Sequence, residues 1–179
     1  RYTAEDEAID IPARLAELAA YLKEETERLG LPMPRFLMEP GRSIVADAGM
    51  TLYTVGSVKR IPGYKQYAAV DGGMTDNPRY ALYQSRYTVY HAHKSGSMER
   101  FDVVGRCCES GDIIQSGVEL PGDTCRGDIL AVCTTGAYNY SMASNYNRLP
   151  RPAVVMLTPD RIYEAVRRET FADLTGLDL

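Results

Sequence analysis

A carboxylate, a tight turn and a guanidinium follow one another at Glu39-Pro40-Gly41-Arg42. The apolar residues before this turn predict a short buried strand at residues 35–39, so the turn would lie at the end of a strand. Backbone N–H groups in such a turn, next to an arginine, suit a phosphate or a carboxylate ligand. For the motif alone, a strand-ending turn with a surface ion pair is the favoured alternative.

A second motif, Asn77-Pro78-Arg79 followed by Tyr83, combines a guanidinium with a phenol. If this segment forms a helical turn, Arg79 and Tyr83 are four residues apart and share one face. The two side chains would then form a clamp for a carboxylate. The alternative, which is favoured for the motif alone, is a surface turn in which Tyr83 is half buried.

Two adjacent cysteines, Cys107 and Cys108, precede Glu109 in a turn flanked by Gly105 and Gly111. A cysteine thiol has a reference pKa of about 8.5, which is close enough to neutrality for the thiol to deliver a proton. The neighbouring carboxylate could bind an ammonium group. The alternative is a pair of small buried hydrophobic side chains, because free cysteines are usually buried in this way.

A polar loop at residues 136–147 follows an apolar strand and supplies phenol, hydroxyl and amide groups, including Tyr138. The loop is long for a compact domain, which favours a functional role. A loop held together by its own hydrogen bonds is the alternative. The chain has 13 tyrosines, 3 phenylalanines and no tryptophan, so we expect some phenol rings to line a polar cleft or an interface.

A zinc site would have to combine the cysteines with His91 and His93, but neither pair has the usual ligand spacing, so no metal is predicted. The spacing of the cysteines does not suggest a disulfide framework, which favours a reduced, cytoplasmic setting. The cysteines of the chain are Cys107, Cys108, Cys125 and Cys133.

The first thirty residues predict one helix, whose regular part begins near Ile11 because Pro12 suits a first helical turn. Leucines at helical spacing, such as Leu15 and Leu22, predict an apolar face. Gly30 is expected to end the helix.

Short strand-like segments separated by Gly, Pro, Asp and Asn follow Arg42, a pattern typical of an antiparallel sandwich or barrel. Residues 161–168 are interpreted as the return strand of a hairpin in preference to a helix. Thr170 and Asp173 are then expected to cap a short helix. The other strands are predicted at residues 50–60, 67–71, 87–91, 98–106, 127–134 and 153–158.

The 179 residues have a net charge of −4 and are 45% hydrophobic, which is ordinary for a globular protein. This charge does not favour binding to nucleic acid or to an anionic membrane. The longest apolar runs are too short to span a bilayer, and no secretory signal is expected.

Together, in this order and at these distances, the motifs resemble the diaminopimelate decarboxylase family of pyridoxal-phosphate enzymes over essentially the whole chain. The Glu-Pro-Gly-Arg turn is shared by the wider alanine-racemase-like group, whereas the Cys-Glu-Ser turn and the loop at residues 136–147 are more discriminating. The matching stretches are MEPGRSIVADAG, DGGMTDNPRYALYQ, VVGRCCESGDII, GDILAVCTTGAYNYSMASNYNRLPRPAVVML and RRETFADL.

This resemblance implies a mainly β fold with some α. Residues 44–179 would form a C-terminal antiparallel β-barrel or sandwich, and residues 1–43 the last helix and strand of a (β/α)8 barrel. Such a barrel needs about 250 residues, so the chain is expected to be the C-terminal portion of the enzyme and to be inactive in isolation. The cofactor-bearing lysine is expected upstream. None of the four lysines fits its motif; they are Lys23, Lys59, Lys65 and Lys94.

The family also implies a site for pyridoxal phosphate. Glu39 would face the pyridine nitrogen and keep it protonated. Pro40, Gly41 and Arg42 form the turn that would hold the cofactor phosphate or a substrate carboxylate. Tyr138 would contact both the cofactor and the substrate, and part of the Arg42 side chain would also bind the substrate.

For the substrate meso-diaminopimelate, the resemblance implies that Arg79 and Tyr83 bind the distal end and that Glu109 binds an ammonium group. Cys108 would return a proton to the carbon that loses carbon dioxide. Cys108 and Glu109 would reach the site of a neighbouring subunit, so a homodimer is implied. Position 80 is Tyr where many members of the family have Pro.

Two alternatives remain open from the sequence. The first is a related decarboxylase of ornithine, arginine or carboxynorspermidine, against which the Glu109 that follows Cys108 argues. The second is a decarboxylase-like module without catalytic activity that serves in binding or dimerisation.

Overall fold

A computed structural model describes residues 2–3 and 5–179 of the chain. Strands dominate the described residues after residue 49. The strands are β1 (Met50–Arg60), β2 (Gln66–Val70), β3 (Val89–His91), β4 (Met98–Val104), β5 (Ile113–Pro121), β6 (Ile129–Cys133), β7 (Val154–Leu157) and β8 (Ile162–Val166). The helices are α1 (Ile11–Leu29), α2 (Arg42–Val45), α3 (Arg79–Tyr83) and α4 (Phe171–Thr175), with short 3-10 turns at Ala46–Ala48, Tyr140–Met142 and Tyr146–Arg148.

Six strands form one sheet in the order β3-β6-β1-β2-β4-β5, which curls until its two edge strands come into contact. The backbone N–H of Tyr87, just before β3, donates to the Gln115 side chain of β5 at 2.8 Å. The predicted mainly β, barrel-like fold is confirmed. The sheet is mixed, because β2 and β4 are parallel. Residues 71–97 provide the long crossover that a parallel pair requires.

Apolar side chains that alternate along the strands fill the interior of this barrel. On β6, Leu130 and Val132 are fully buried, whereas Ala131 between them is only partly buried. This is the pattern of a strand whose successive side chains point to opposite faces of the sheet. The largest fully buried apolar side chains are those of Phe101, Ile114, Leu120 and Leu130.

We expect Leu130→Ala to lower the free energy of unfolding by about 2–5 kcal/mol, because the lost side chain leaves a cavity in a packed core. Equilibrium urea unfolding of the full-length protein measures the change. Leu177→Ala is the control, since Leu177 is 95% exposed and its loss should change stability by no more than about 0.5 kcal/mol. Equal effects of the two substitutions would contradict the burial argument.

The N-terminal helix begins and ends as predicted. Asp10 caps α1 by accepting the N–H of Ala13 at 3.0 Å, and Gly30 ends the helix in a left-handed conformation with φ of 66°. Thr3 and Asp6 form a separate turn before α1. None of the residues of α1 is buried, so its leucine face has no covering partner within the described chain.

The predicted strand at residues 35–39 was wrong. These residues form no regular element and are exposed, with Leu37 72% exposed. A strand requires a neighbouring strand to satisfy its backbone hydrogen bonds, and none of the described strands lies beside this segment. The division of the chain into residues 1–43 and 44–179 stays a prediction.

The end of the chain follows its predicted course. Strands β7 and β8 form an antiparallel hairpin, and the side chains and backbones of Thr170 and Asp173 form a capping box at the start of α4.

Strand β5 was not predicted from the sequence.

Among the described residues, no helix has both the length and the apolar character that a membrane span requires.

Candidate active site

Two guanidinium groups, those of Arg42 and Arg79, lie together among aromatic rings. Arg42 Cζ is 3.9 Å from the ring centroid of Tyr2 and 5.6 Å from that of Tyr138. Arg79 Cζ is 4.8 Å from the ring centroid of Tyr83 and 5.4 Å from that of Tyr138. We call these five residues the two-arginine cluster. It contains four of the side chains predicted for the site, and Tyr138 links its two cations.

The Arg42 side of the cluster is positioned by contact between two turns. Arg42 begins α2, and the loop that carries Tyr138 is joined to the end of that helix by a 3.0 Å hydrogen bond from the Gly136 N–H to the carbonyl of Ala46. Position 136 has no room for a side chain, because a Cβ there would overlap the carbonyl oxygen of Val45. The absence of a side chain therefore lets the Tyr138 loop approach Arg42.

The Arg79 side of the cluster depends on α3. This short helix confirms the predicted helical turn and places Arg79 and Tyr83 one turn apart on the same face. Arg79 Nη2 donates to the hydroxyl of Tyr2 at 3.0 Å, and Nη1 lies 3.5 Å from the sulfur of Met142. The guanidinium is thus held at both ends by segments distant in sequence.

Several nitrogen donors in this cluster have no acceptor in the described part of the chain. Arg42 Nη1, Arg42 Nη2 and Arg79 Nε are buried, and none of them has a hydrogen-bond partner among the described residues. Leaving buried charged donors unpaired is costly, so the cluster suits an anionic group that would accept from them. A phosphate or a carboxylate has the required charge and geometry.

The local potential around the cluster is positive. Burial acts to raise the pKa of the Tyr2 hydroxyl, but contacts with Ser85 and Arg79 and the charges of Arg42 and Arg79 together lower it below its ordinary value. A site that favours a negative charge on a phenol also favours a bound anion. The residues present therefore fit the phosphate of pyridoxal phosphate, and equally a substrate carboxylate.

A second group of side chains surrounds the two cysteines, and we call Cys108, Glu109 and Tyr146 the thiol-carboxylate cluster. Cys108 and Glu109 are exposed, and the Tyr146 hydroxyl donates to Glu109 at 3.4 Å. Hydrogen bonds from the backbone N–H of Gly111 and then from Ser110 lower the pKa of Glu109, so its carboxylate is ionised at neutral pH. The cluster therefore offers a negative charge for an ammonium group next to a thiol.

The neighbouring Cys107 differs from Cys108 in its surroundings. Cys107 is partly buried, and burial together with the nearby Asp112 carboxylate raises the pKa of its thiol to about 11. Cys108 is the more accessible of the two thiols. This contrast agrees with the choice of Cys108 over Cys107 as the candidate proton donor.

The two clusters do not meet within one chain. No hydrogen bond, ion pair or cation–π contact of the described residues joins Cys108 or Glu109 to Arg42, Arg79 or Tyr138. One loop nevertheless serves both clusters, since it carries Tyr138 at its start and Tyr146 near its end. The action of Cys108 and Glu109 in the site of a neighbouring subunit stays a prediction.

Glu39 and Pro40 are exposed and lie in the irregular segment before Gly41. Glu39 makes no hydrogen bond or ion pair with the described part of the chain, so its role at the pyridine nitrogen stays a prediction. Gly41 does contact the cluster: a Cβ at this position would overlap the Tyr138 hydroxyl. The backbone of the Gly41 turn is therefore packed directly against the phenol.

Several residues of the site could not be identified from the sequence. Tyr2 contacts both arginines and packs edge-on against Tyr87, with ring centroids 5.6 Å apart. Met142 was not singled out either, and Tyr146 was named only as part of the polar loop, without a role in the site. The excess of tyrosine was the available signal, but it did not indicate which rings would meet.

The two histidines belong to a hydrogen-bonded turn. His91 Nδ1 accepts backbone N–H groups from His93 and Lys94, and its Nε2 lies 3.1 Å from a carboxylate oxygen of Asp128. His91 thus stabilises the turn that contains His93 and Lys94. Across residues 2–3 and 5–179, no group of three or more His, Cys, Asp or Glu side chains has a geometry suited to a metal ion.

Comparison with known proteins identifies the family. The family described as pyridoxal-dependent decarboxylase, C-terminal sheet domain, matches residues 9–136, and the chain belongs to this family. The chain is 48% identical over 181 residues to the diaminopimelate decarboxylase of Bacillus subtilis (strain 168), a match that covers 100% of this chain and 41% of that protein. The resemblance predicted from the motifs is confirmed.

Solved structures agree with this assignment. Diaminopimelate decarboxylase from M. jannaschii in co-complex with L-lysine superposes with a TM-score of 0.88 and 32% identity, over 98% of this chain and 40% of that chain. The lysine/ornithine decarboxylase of Vibrio vulnificus complexed with cadaverine superposes with a TM-score of 0.66 and 25% identity, over 83% of this chain and 38% of that chain. The chain thus spans about two fifths of the length of these relatives.

Proposed function

We propose that the whole protein that carries this chain decarboxylates meso-2,6-diaminopimelate to L-lysine with pyridoxal phosphate as cofactor. The observation that carries the proposal is the two-arginine cluster, in which Arg42 Nη1, Arg42 Nη2 and Arg79 Nε have no acceptor among the described residues. The 48% identity to the Bacillus subtilis enzyme along the whole chain supports it.

The cofactor would be held by the turn at Gly41 and Arg42 and by Tyr138. The unpaired Arg42 nitrogens are suited to its phosphate or to a substrate carboxylate. Glu39 would keep the pyridine nitrogen protonated. When bound, pyridoxal phosphate supplies an electron sink for the charge left by the departing carboxylate.

The charges of the two clusters suit a substrate with a second amino-acid end. Arg79 and Tyr83 would bind the distal carboxylate, which accounts for the unpaired Nε of Arg79. The ionised Glu109 would bind an ammonium group. Ornithine has no distal carboxylate and would leave the Nε of Arg79 without an acceptor, which favours diaminopimelate.

Cys108 would return a proton to the carbon that loses carbon dioxide. Its separation from the two-arginine cluster of the same chain supports a homodimer in which each subunit contributes Cys108 and Glu109 to its partner's site. The proposed cytoplasmic location rests on the four cysteines, which are free, as expected in a reducing compartment.

The test is a decarboxylation assay on the full-length protein loaded with pyridoxal phosphate. We expect kcat/KM for meso-diaminopimelate to exceed that for ornithine or arginine by about 10⁴-fold, because a substrate without a distal carboxylate leaves buried polar groups of the site unpaired. A preference for ornithine would favour the related basic amino-acid decarboxylases. Absence of turnover with every substrate would favour the non-catalytic module.

A further inference from the structure

One buried carboxylate, that of Asp112, belongs to neither of the two clusters. Asp112 is 4% exposed. Its Oδ1 accepts the backbone N–H of Met74 at 2.6 Å, and its Oδ2 accepts the backbone N–H of Cys107 at 2.6 Å. Hydrogen bonds from backbone N–H groups to a carboxylate are among the stronger ones in proteins.

The chain leaves space for this carboxylate on two sides. A Cβ on Gly73 would lie 2.6 Å from Asp112 Oδ1, and a Cβ on Gly105 would overlap the same carboxylate. The Gly105 N–H also donates to the backbone carbonyl of Asp112 at 2.9 Å. Two glycines from separate loops are therefore required for Asp112 to occupy its position.

The two N–H groups that donate to Asp112 belong to two different loops, and each loop leads into candidate active-site residues. Met74 lies in the turn that leads into α3 and so to Arg79 and Tyr83. Cys107 directly precedes Cys108 and Glu109. One carboxylate thus joins the loop that positions the substrate clamp to the loop that positions the thiol.

We propose that Asp112 is a positioning residue that sets the Cys108 turn and the Arg79 turn relative to each other through their backbones. This inference rests on the proposed function. In a homodimer with shared sites, Arg79 and Cys108 of one chain serve different sites. A single Asp112 would then maintain the geometry of two active sites at once, by fixing the clamp of one and the proton donor of the other.

The first test is Asp112→Asn in the full-length protein. An amide offers one acceptor in place of two, so either Met74 or Cys107 loses its partner. We expect kcat for meso-diaminopimelate to fall on the order of 10²-fold, the effect of a small misplacement of a reacting group. We also expect KM to rise, because the Arg79 turn shifts.

The matched control is Asp102→Asn. Asp102 is a second buried aspartate, 7% exposed, that accepts the N–H of Gly117 at 2.9 Å and bonds to Lys65 at 2.6 Å. It touches neither cluster. A loss of stability alone would affect both variants alike, so Asp102→Asn should keep wild-type kcat and KM in the folded protein.

A double-mutant cycle with Cys108→Ala separates positioning from general structure. If Asp112 acts on the proton step through Cys108, then Asp112→Asn should add little further loss of kcat to Cys108→Ala, while the rise in KM persists. Losses of kcat that multiply in the double variant would contradict a role through Cys108.

The outcomes also separate this inference from the proposed function. An active wild type in which Asp112→Asn behaves like Asp102→Asn overturns the role of Asp112 alone. An inactive wild type overturns the proposed function and the inference with it. If Asp112→Asn does not fold, Gly105→Ala keeps the charge but displaces the carboxylate, and it should show the same fall in kcat. Wild-type kinetics of a folded Gly105→Ala would overturn the proposal.

Discussion

Cys108→Ala in the full-length protein is expected to lower kcat for meso-diaminopimelate by about 10²–10⁴-fold, which is the usual contribution of a positioned general acid. KM should change little, because the thiol is proposed to act on the reacting carbon and not in substrate binding. Steady-state kinetics with saturating pyridoxal phosphate measure both constants.

Cys107→Ala is the matched control for this experiment. Cys107 is adjacent to Cys108 in sequence, and partial burial raises the pKa of its thiol to about 11. Alanine at position 107 retains the backbone N–H that donates to Asp112. We expect its kcat to stay close to that of the wild type. Equal losses in the two variants would indicate a general disturbance of the turn, and unchanged activity of Cys108→Ala would assign the proton donor to another group.

Local sequence signals predicted the elements whose shape depends on few residues. Thr170 and Asp173 form the capping box expected from their spacing, and Gly30 ends α1 because a left-handed conformation suits glycine. The longest strand, β1, occupies the predicted residues. The two helix caps follow from hydrogen bonds within a few residues, so the remainder of the chain has little influence on them. Strand β1 was predicted from its local composition, although its hydrogen bonds go to β2 and β6.

Features that depend on distant partners were not predictable in the same way. The segment at residues 35–39 has strand-like composition but lacks a neighbouring strand. Strand β5 was missed because Gln115, Ser116 and Gly117 interrupt its apolar pattern. Gln115 is nevertheless buried. A polar side chain is tolerated there because it accepts a hydrogen bond from the N–H of Tyr87 where the barrel closes.

The same distinction applies to the site. The motifs identified Arg42, Arg79 and Tyr138, and the fold brings them together. The sequence did not indicate that Tyr2 would contact both arginines or that Asp112 would join two loops, because each role depends on contacts across many residues. In this chain, motif residues could be predicted, whereas the residues that position them required the structure.

Arg79→Ala is expected to lower kcat/KM for meso-diaminopimelate by about 10²–10³-fold, because removing one partner of a buried charge pair typically costs several kcal/mol. Arg79→Lys should recover only part of this loss. Lysine keeps the charge but lacks the planar fork and the stacking that Arg79 makes with Tyr83 and Tyr138. Activity assays over a range of substrate concentrations give kcat/KM for the wild type, Arg79→Ala and Arg79→Lys.

The control for Arg79 is Arg86→Ala, which removes an exposed arginine from the segment that follows α3. Its kcat/KM should match that of the wild type. A more specific comparison uses ornithine, which has no distal carboxylate. If Arg79 recognises that carboxylate, Arg79→Ala should affect the slow turnover of ornithine much less than that of meso-diaminopimelate. Equal losses with both substrates would place Arg79 at the cofactor or in the fold, and would leave the distal carboxylate to be recognised by another residue.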